Sequence, residues 1–212
     1  QSSYETRNLA KNLNLNKINI KNRYNINNPY IFYPAQFWPH KNHIYILKGL
    51  KILEDNYGIK FEVIFCGKDN GNLKYIKEKA IKLEISERVH FLGFISNIEI
   101  LEIYSQAFAL VMPTYFGPTN IPPLEAFEIG IPVIYSNIKG SKDQLGDAAL
   151  YIDLKNPTSL ANQINRLIID ENLKIKLIAE GKKKSEHNNS INRSNILKSV
   201  IEEFKHKRDC WN

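Results

Sequence analysis

Cysteine is scarce in this sequence of 212 residues, and its two copies, Cys66 and Cys210, lie far apart. Structural zinc sites and redox-active pairs need closely spaced cysteines, so this spacing excludes both and favours a reducing compartment. Carboxylate pairs of the form Asp-x-Asp are missing as well. A metal held by such a pair is therefore not expected, and His40 and His43 have no third ligand nearby in the sequence.

Long apolar runs are also lacking. No stretch reaches the roughly 20 apolar residues of a membrane-spanning helix, and no signal peptide stands at the start of the chain. We therefore expect a cytoplasmic protein. Because the sequence begins at Gln1 without a methionine, we also expect it to be an excised fragment.

Positive charge exceeds negative charge, with a formal net charge of +7. Such an excess suits nucleic acid, an anionic membrane surface or an anionic small ligand. The basic residues are scattered, apart from residues 182–184 and the tail at 205–208. Solvated helix faces explain them most simply, and no basic-aromatic module of RNA or DNA binding is present. We expect no nucleic acid partner, although a basic nucleic-acid-binding protein stays an alternative.

Short apolar segments alternate with helical patterns from Pro29 onward. The apolar segments are continuous instead of alternating with polar residues, which is typical of a parallel sheet covered by helices on both faces. The sequence therefore predicts an α/β fold with a Rossmann-like parallel sheet, followed by C-terminal helices. The expected strands cover residues 30–33, 61–66, 89–92, 108–112, 132–135 and 149–152.

Three regions are expected along the chain. Residues 1–28 are polar and weakly patterned, which indicates a linker or the fringe of a preceding domain. Residues 29–190 form the Rossmann-like domain. Residues 191–212 form a C-terminal helix and a basic tail, with an amphipathic helix over 193–205.

The segment over residues 113–132 carries the richest pattern at the expected rim, because ligands bind outside the carboxyl ends of parallel strands. Pro122 and Pro123 begin a helix, whose N-terminus offers free amides and partial positive charge to a phosphate. Glu125 in its first turn is either a carboxylate that favours the helix dipole or an acceptor for a pair of sugar hydroxyls. The expected amide donors are those of Thr119, Asn120, Ile121 and Leu124.

A second loop joins the first strand to its helix, so it is expected at the same rim. Lys41, near the start of that helix, is either a point charge for phosphate or a plain surface lysine. The loop over 67–71 has neither Walker spacing nor a dinucleotide fingerprint, but its place at the rim allows a phosphate contact. The segment over 92–95 would let backbone and an aromatic edge approach a base.

These segments resemble the family-4 retaining glycosyltransferases, which have the GT-B fold. The resemblance covers roughly residues 29–188 and rests on three blocks in the family's order. The blocks are residues 33–42, ending in His40-Lys41-Asn42; residues 88–94; and residues 116–132, with Pro122-Pro123-Leu124-Glu125-Ala126 and Gly130-Ile131-Pro132-Val133. Gly146-Asp147-Ala148-Ala149 then looks like the family's closing strand.

The resemblance implies the C-terminal, donor-binding half of an enzyme whose missing N-terminal half binds the acceptor. Lys41 is then expected to bind the donor diphosphate and Glu125 the ribose hydroxyls. The turn over 117–121 is expected to cradle phosphate and donor sugar, and the loop over 93–95 to frame the base. The expected donor-binding residues are Gln36, Lys41, Gly67, Phe94, Phe116, Gly117, Thr119, Asn120, Ile121, Leu124 and Glu125.

Two positions depart from the family. Gln36 stands where the family often has an arginine beside the diphosphate, and Gly117 stands where it often has a glutamate. Gln36 donates hydrogen bonds but brings no charge. Gly117 has no side chain with which to contact a sugar, and Asn120 or Thr119 are the expected substitutes. These two departures affect the expected sugar contact and the identity of the donor more than they affect the expected fold.

The resemblance implies transfer of a sugar from a nucleotide-diphosphate sugar to a glycan or lipid-linked acceptor, with retention and without a metal or other cofactor. No general base or nucleophile is assigned, and the fragment alone is expected to bind nucleotide and transfer little. The basic tail is compatible with peripheral association at the inner face of the membrane. A non-catalytic nucleotide-sugar-binding module is the main alternative, and a sugar-nucleotide epimerase a more distant one.

Overall fold

The computed structural model describes residues 18–117 and 120–187. The strands in these residues are β1 (Tyr30–Pro34), β2 (Glu62–Cys66), β3 (Val89–Leu92), β4 (Ala109–Met112), β5 (Val133–Ser136) and β6 (Ala149–Ile152). The α-helices in them are α1 (Ile20–Tyr24), α2 (His43–Tyr57), α3 (Leu73–Lys82), α4 (Asn97–Gln106), α5 (Pro122–Ile129), α6 (Ser141–Leu145), α7 (Thr158–Ile169) and α8 (Glu171–His187).

The strands form one parallel sheet of the order β3-β2-β1-β4-β5-β6. The predicted α/β fold with a Rossmann-like parallel sheet is therefore confirmed. Every residue of β2, β4 and β5 is buried, which explains why these segments are apolar apart from Glu62 at the start of β2 and Ser136 at the end of β5. The order runs outward from β1 to β3 and then reverses to β4, so right-handed crossovers send the later helices to the opposite face.

Two sets of helices cover the sheet. On one side α2 packs against α3 and α7, and on the other α5 packs against α4 and α8. Helix α2 contributes Ile46, Leu50 and Leu53 to the core, as its helical spacing predicts. Tyr57, the fourth residue of that spacing, is instead exposed, and its hydroxyl donates to Asn162 at 2.8 Å. Helix α2 thus turns its last apolar position away from the sheet.

The segment that precedes β1 packs against the domain from Ile18 onward. Ile20 and Ile26 are buried in the core. Arg23 forms a salt bridge of 2.7 Å with Glu99, and Gln106 accepts from the Ile20 amide at 3.1 Å. Residues 18–28 therefore pack against the domain, while residues 1–17 lie outside the described residues and the boundary at residue 29 stays a prediction.

A carboxylate at the amino end of β2 also holds this segment. Glu62 accepts hydrogen bonds from the amides of Asn27 at 2.7 Å and Asn28 at 2.8 Å, and its second oxygen lies 2.6 Å from His90 Nε2. Burial alone would raise the pKa of Glu62, but the hydrogen bonds from His90, Asn28 and Asn27 outweigh it and lower the pKa. This ionised carboxylate fixes where the chain enters β1.

The basic cluster on α8 is largely engaged within the chain. Lys182 lies against Gly130, which ends α5, and Lys184 lies against Gly146, which ends α6. Cations at helix carboxyl ends are favoured by the helix dipole. Lys183 pairs with Glu180 at 2.8 Å. These contacts favour the simple interpretation of residues 182–184 as a helix face, while the helix expected over 193–205, in the region 191–212, lies outside the described residues.

His43, the first residue of α2, is fully buried in a box of aromatic rings. Its ring centroid lies 4.9 Å from those of Tyr33 and Phe37 and 5.0 Å from that of Phe65. Neither ring nitrogen has a hydrogen-bond partner in the described part of the chain. Burial lowers the pKa of His43 to about 3; the backbone of Ala35 opposes this lowering, and the charge of Lys41 adds to it.

His43 should make stability depend on pH in a defined window. Between about pH 6.5 and pH 3 the unfolded chain binds a proton on this imidazole and the folded chain does not, so stability falls as pH falls, by at most about 1.4 kcal/mol per pH unit. His43→Leu removes this contribution. Urea unfolding at pH steps from 7 to 4.5 should show a shallower loss of free energy in His43→Leu than in the wild type. Equal slopes would mean that the buried ring accepts a proton in the folded state.

Candidate functional site

A cavity of about 440 Å³ opens at the carboxyl ends of β1 and β4, where the strand order reverses. This edge is where ligands bind in open parallel sheets. The loop after β1 supplies one wall and the loop that leads into α5 supplies the other. The lining residues are Pro34, Ala35, Gln36, Trp38, His40, Lys41, Met112, Asn120, Ile121 and Pro122.

Lys41 ends a short 3-10 turn, Pro39–Lys41, between β1 and α2. The buried hydroxyl of Tyr33 donates to the Lys41 carbonyl at 2.9 Å, which fixes the backbone that carries the ammonium group. Asn42 follows with φ of 56°, a left-handed conformation that asparagine adopts more readily than most residues. Lys41 is partly buried, and burial lowers its pKa. No salt bridge in the described residues involves Lys41.

Gln36 lines the same cavity with a fixed amide group. Its Oε1 accepts from Trp38 Nε1 at 3.0 Å and from Asn70 Nδ2 at 3.1 Å. Both hydrogen bonds are accepted by the oxygen of the amide group. The Nε2 hydrogens are therefore not used by these two partners. Gln36 is an acceptor in both of these hydrogen bonds, and its donor role toward a ligand stays a prediction.

Gly67, at the end of β2, supports the first loop from behind. A Cβ atom at this position would lie 2.5 Å from the Ala35 carbonyl oxygen and 2.8 Å from Gln36 Cα. The Phe37 amide also donates to the Lys68 carbonyl at 3.0 Å. The structure gives Gly67 a packing role behind the cavity wall, and it is not one of the residues that line the cavity in the described part of the chain.

The loop after β4 is tied to the loop after β1. The Tyr115 amide donates to the His40 carbonyl at 3.0 Å, and the buried Ser136 donates to the Thr114 carbonyl at 2.7 Å. Gly117 has φ of 88°, a backbone conformation that side chains rarely adopt. A glutamate at this position would be strained in this conformation.

Asn120 is turned toward the protein and held by several groups. Its Nδ2 donates to the Gly117 carbonyl and to the Tyr135 hydroxyl. Its backbone amide donates to Gln144 Oε1 at 3.2 Å. This N–H is therefore engaged within the protein, whereas the sequence predicts it as a donor available to a ligand. Thr119, the expected neighbouring donor, lies outside the described residues.

Helix α5 engages a second amide that the sequence predicts as free. The Leu124 amide donates to the Ile121 carbonyl at 2.9 Å, because the first turn of the helix closes at Ile121. The role of Leu124 as an amide donor is therefore corrected, and Leu124 instead packs in part against the core. Ile121 itself lines the cavity with an exposed side chain.

Glu125 lies in the first turn of α5 and is held by a buried tyrosine. Tyr104 of α4 donates to Glu125 Oε2 at 3.0 Å, and its ring packs edge-on against Phe32 at 4.8 Å. Burial raises the pKa of Tyr104 well above its ordinary value, and the negative charge of Glu125 raises it further. Tyr104 therefore remains a hydrogen-bond donor, and the position of the carboxylate is fixed.

Aromatic rings form one margin of the cavity. Trp38 and His40 stack with centroids 6.3 Å apart, and Phe116 lies 6.0 Å beyond His40. Phe116 and Trp38 are exposed. Phe94, in the loop after β3, is fully exposed and does not line the cavity in the described part of the chain. The structure thus separates Phe94 from Gln36, Lys41 and Asn120, which it brings together.

Four residues that hold the site in place belong to no sequence motif, namely Tyr33, Tyr104, Tyr135 and Gln144. Tyr33 and Tyr104 lie in segments whose apolar pattern predicts only core, and their hydroxyls decide their role. Gln144 follows the end of β5 by eight positions, in the short helix α6, whose sequence contains no recognisable motif. In the residues described, no three His, Cys, Asp or Glu side chains come together as metal ligands. His40 and His43 do not share a site, because His43 faces the aromatic box.

Comparison with known proteins decides the family. Residues 16–184 match the profile of the family described as Glycosyl transferases group 1. The chain belongs to this family. This group 1 glycosyltransferase chain is 32% identical over 130 residues to the O-antigen chain mannosyltransferase RfbU of Salmonella typhimurium, a match that covers 61% of this chain and 36% of RfbU.

Solved structures of other proteins have the same fold as this chain. A glycosyltransferase from Rickettsia africae superposes with a TM-score of 0.77 at 18% identity, covering 95% of this chain and 54% of its own. Anabaena Alr3699/HepE, solved in complex with UDP, superposes with a TM-score of 0.74 at 18% identity, covering 86% and 51%. The group 1 glycosyltransferase chain thus spans about half the length of these proteins, or less.

No helix among the described residues of this group 1 glycosyltransferase has the length and apolar character needed to cross a membrane.

Gly67→Ala and Gly93→Ala form a matched pair at the ends of neighbouring strands. A methyl group at Gly67 meets the backbone of Ala35 and Gln36, whereas one at Gly93 meets nothing within 4 Å. Gly67→Ala should lower the free energy of unfolding by about 1–3 kcal/mol, because the backbone of the first loop must shift. Gly93→Ala should change it by less than about 0.5 kcal/mol. Urea unfolding measures both, and equal losses would contradict the packing role of Gly67.

Proposed function

We propose that this chain is the donor-binding half of a GT-B glycosyltransferase that moves a sugar from a nucleotide-diphosphate sugar to a glycan or lipid-linked acceptor, with retention and without a metal. One observation carries the proposal. Lys41 and the residues that lead into α5, from Asn120 to Pro122, line a single cavity at the reversal of strand order.

The charge of Lys41 supports a diphosphate as the ligand. A partly buried ammonium group with no carboxylate partner in the described residues is costly unless an anion is bound. Negative charge develops on the diphosphate as the glycosidic bond to it breaks. Preorganised donors and charges at such a position stabilise the leaving group, and each is worth roughly 2.7–4 kcal/mol when removed from an active site.

Glu125 supports a nucleoside as the other part of the ligand. A carboxylate accepts from two adjacent hydroxyls, which is the arrangement that a ribose presents. Because Tyr104 donates to Oε2, the carboxylate is held in one orientation at the start of α5. Lys41 and Glu125 then contact opposite ends of one nucleoside diphosphate, with the phosphates toward Lys41.

The relatives support the same substrate class. HepE is a protein solved in complex with UDP, and RfbU is named as an O-antigen chain mannosyltransferase. These names favour a sugar nucleotide as donor and a cell-envelope polysaccharide or its lipid-linked precursor as acceptor, at the cytoplasmic face of the membrane. Residues that contact the acceptor belong to the other half of the enzyme, so this chain alone should bind nucleotide and transfer little.

Nucleotide binding by the chain tests the proposal directly. The panel is UDP, GDP and ADP with their monophosphates and their 2′-deoxy forms, measured by calorimetry and by thermal shift. A nucleotide present at 100 times its Kd should add about 2.7 kcal/mol of stability. At least one diphosphate should bind better than its monophosphate and its deoxy form. Binding to none of the panel would contradict the proposal.

Two variants separate the proposed contacts. Lys41→Ala should weaken the best diphosphate by about ten- to a hundredfold, since a charged hydrogen bond is lost, with a smaller effect on the monophosphate. Glu125→Gln should abolish the preference for ribose over deoxyribose. Lys48→Ala, an exposed lysine on α2, is the matched control and should leave every affinity unchanged. An effect of Lys48→Ala as large as that of Lys41→Ala would mean that Lys41 acts only through the net charge of the chain, which contradicts a direct contact with the diphosphate.

A further inference from the structure

Gln144, in the short helix α6, brackets the backbone of Asn120. The Asn120 amide donates to Gln144 Oε1 at 3.2 Å, and Gln144 Nε2 donates to the Asn120 carbonyl at 2.9 Å. One side chain thereby satisfies both backbone groups of a loop residue, as a hydrogen-bonded residue on a neighbouring antiparallel strand does. The two residues are 24 positions apart in the sequence.

The side chain of Asn120 is held from two further directions. Its Nδ2 donates to the Gly117 carbonyl and to the hydroxyl of Tyr135 on β5. The Tyr135 hydroxyl in turn donates to the Gly117 carbonyl at 2.7 Å, and Tyr135 is buried. Asn120 is therefore fixed by the turn itself, by the sheet and by α6.

This fixed residue forms part of the cavity wall that faces Lys41. Asn120, Ile121 and Lys41 line the same cavity, and the Tyr115–His40 hydrogen bond joins the two loops that carry them. The wall would otherwise be an irregular loop, whose ordering on binding weakens affinity. Hydrogen bonds that order it beforehand remove that cost.

We propose that Gln144 is a positioning residue for the phosphate end of the nucleotide: by bracketing the Asn120 backbone, it holds the wall of the cavity opposite Lys41 in its binding geometry. The inference rests on the proposed function. Gln144 acts through Asn120 and need not contact the ligand. The opposite role is a blocking one, in which Gln144 occupies an amide that a phosphate would use, and it predicts the opposite effect.

Gln144→Met tests the inference in the full 212-residue chain. Methionine keeps the length of the side chain and removes both hydrogen bonds. Gln163→Met is the matched control, because Gln163 also donates to a backbone carbonyl, that of Tyr151, at 3.2 Å, outside the cavity. The readouts are the affinities for UDP and UMP and for GDP and GMP, together with the unfolding temperature without ligand.

Gln144→Met should lower the affinity for the tighter-binding diphosphate by about tenfold. This is the effect expected when part of the free energy of two neutral hydrogen bonds no longer contributes to binding. The affinity for the matching monophosphate should fall by less, so the ratio of the two affinities decreases. Gln163→Met should leave the ratio unchanged.

Four results would overturn the inference. An unchanged ratio with a lowered unfolding temperature makes Gln144 a purely structural residue. Tighter diphosphate binding by Gln144→Met assigns it the blocking role. A wild-type chain that binds none of UDP, GDP and ADP removes the proposed function and this inference together, whereas wild-type binding with an unaffected Gln144→Met chain removes this inference alone.

Discussion

The reversal of strand order between β1 and β4 is the constraint on which the site depends. Parallel strands that are neighbours end at the same edge, so the loop after β1 and the loop after β4 must meet there. The hydrogen bond from the Tyr115 amide to the His40 carbonyl, 3.0 Å long, joins the two loops directly. Lys41 and the start of α5 then face one cavity without any contact between their side chains being required.

Burial on both faces explains why the fold could be predicted from the sequence. A central parallel strand is apolar at nearly every position, so β1, β2, β4 and β5 stand out as short, almost continuous apolar runs between helical patterns. The same rule places loop residues at one rim, which is why Gln36, Lys41 and Ile121 were expected together and do line the cavity. Tyr57, at the end of helix α2, was expected in the core by its helical spacing but is exposed, and its hydroxyl donates to Asn162 at the surface.

The details of the site could not be predicted because they depend on hydrogen bonds between residues distant in sequence. Whether the Asn120 amide is free is decided by Gln144, and the orientation of Glu125 is decided by Tyr104. Neither partner belongs to a motif or breaks the apolar or polar pattern around it. Gly67 looked like a phosphate contact because glycine-rich turns often are, whereas its close approach to Ala35 is visible only in three dimensions.

Two buried tyrosines each donate a hydrogen bond to a residue of the proposed site. Tyr33 holds the backbone of Lys41, and Tyr104 holds the carboxylate of Glu125. Burial raises the pKa of both phenols well above the ordinary value, so both stay protonated and donate. Lys41 and Glu125 form no salt bridge with each other. Because both phenols are uncharged donors, they fix the Lys41 backbone and the Glu125 carboxylate without cancelling the charge of either side chain.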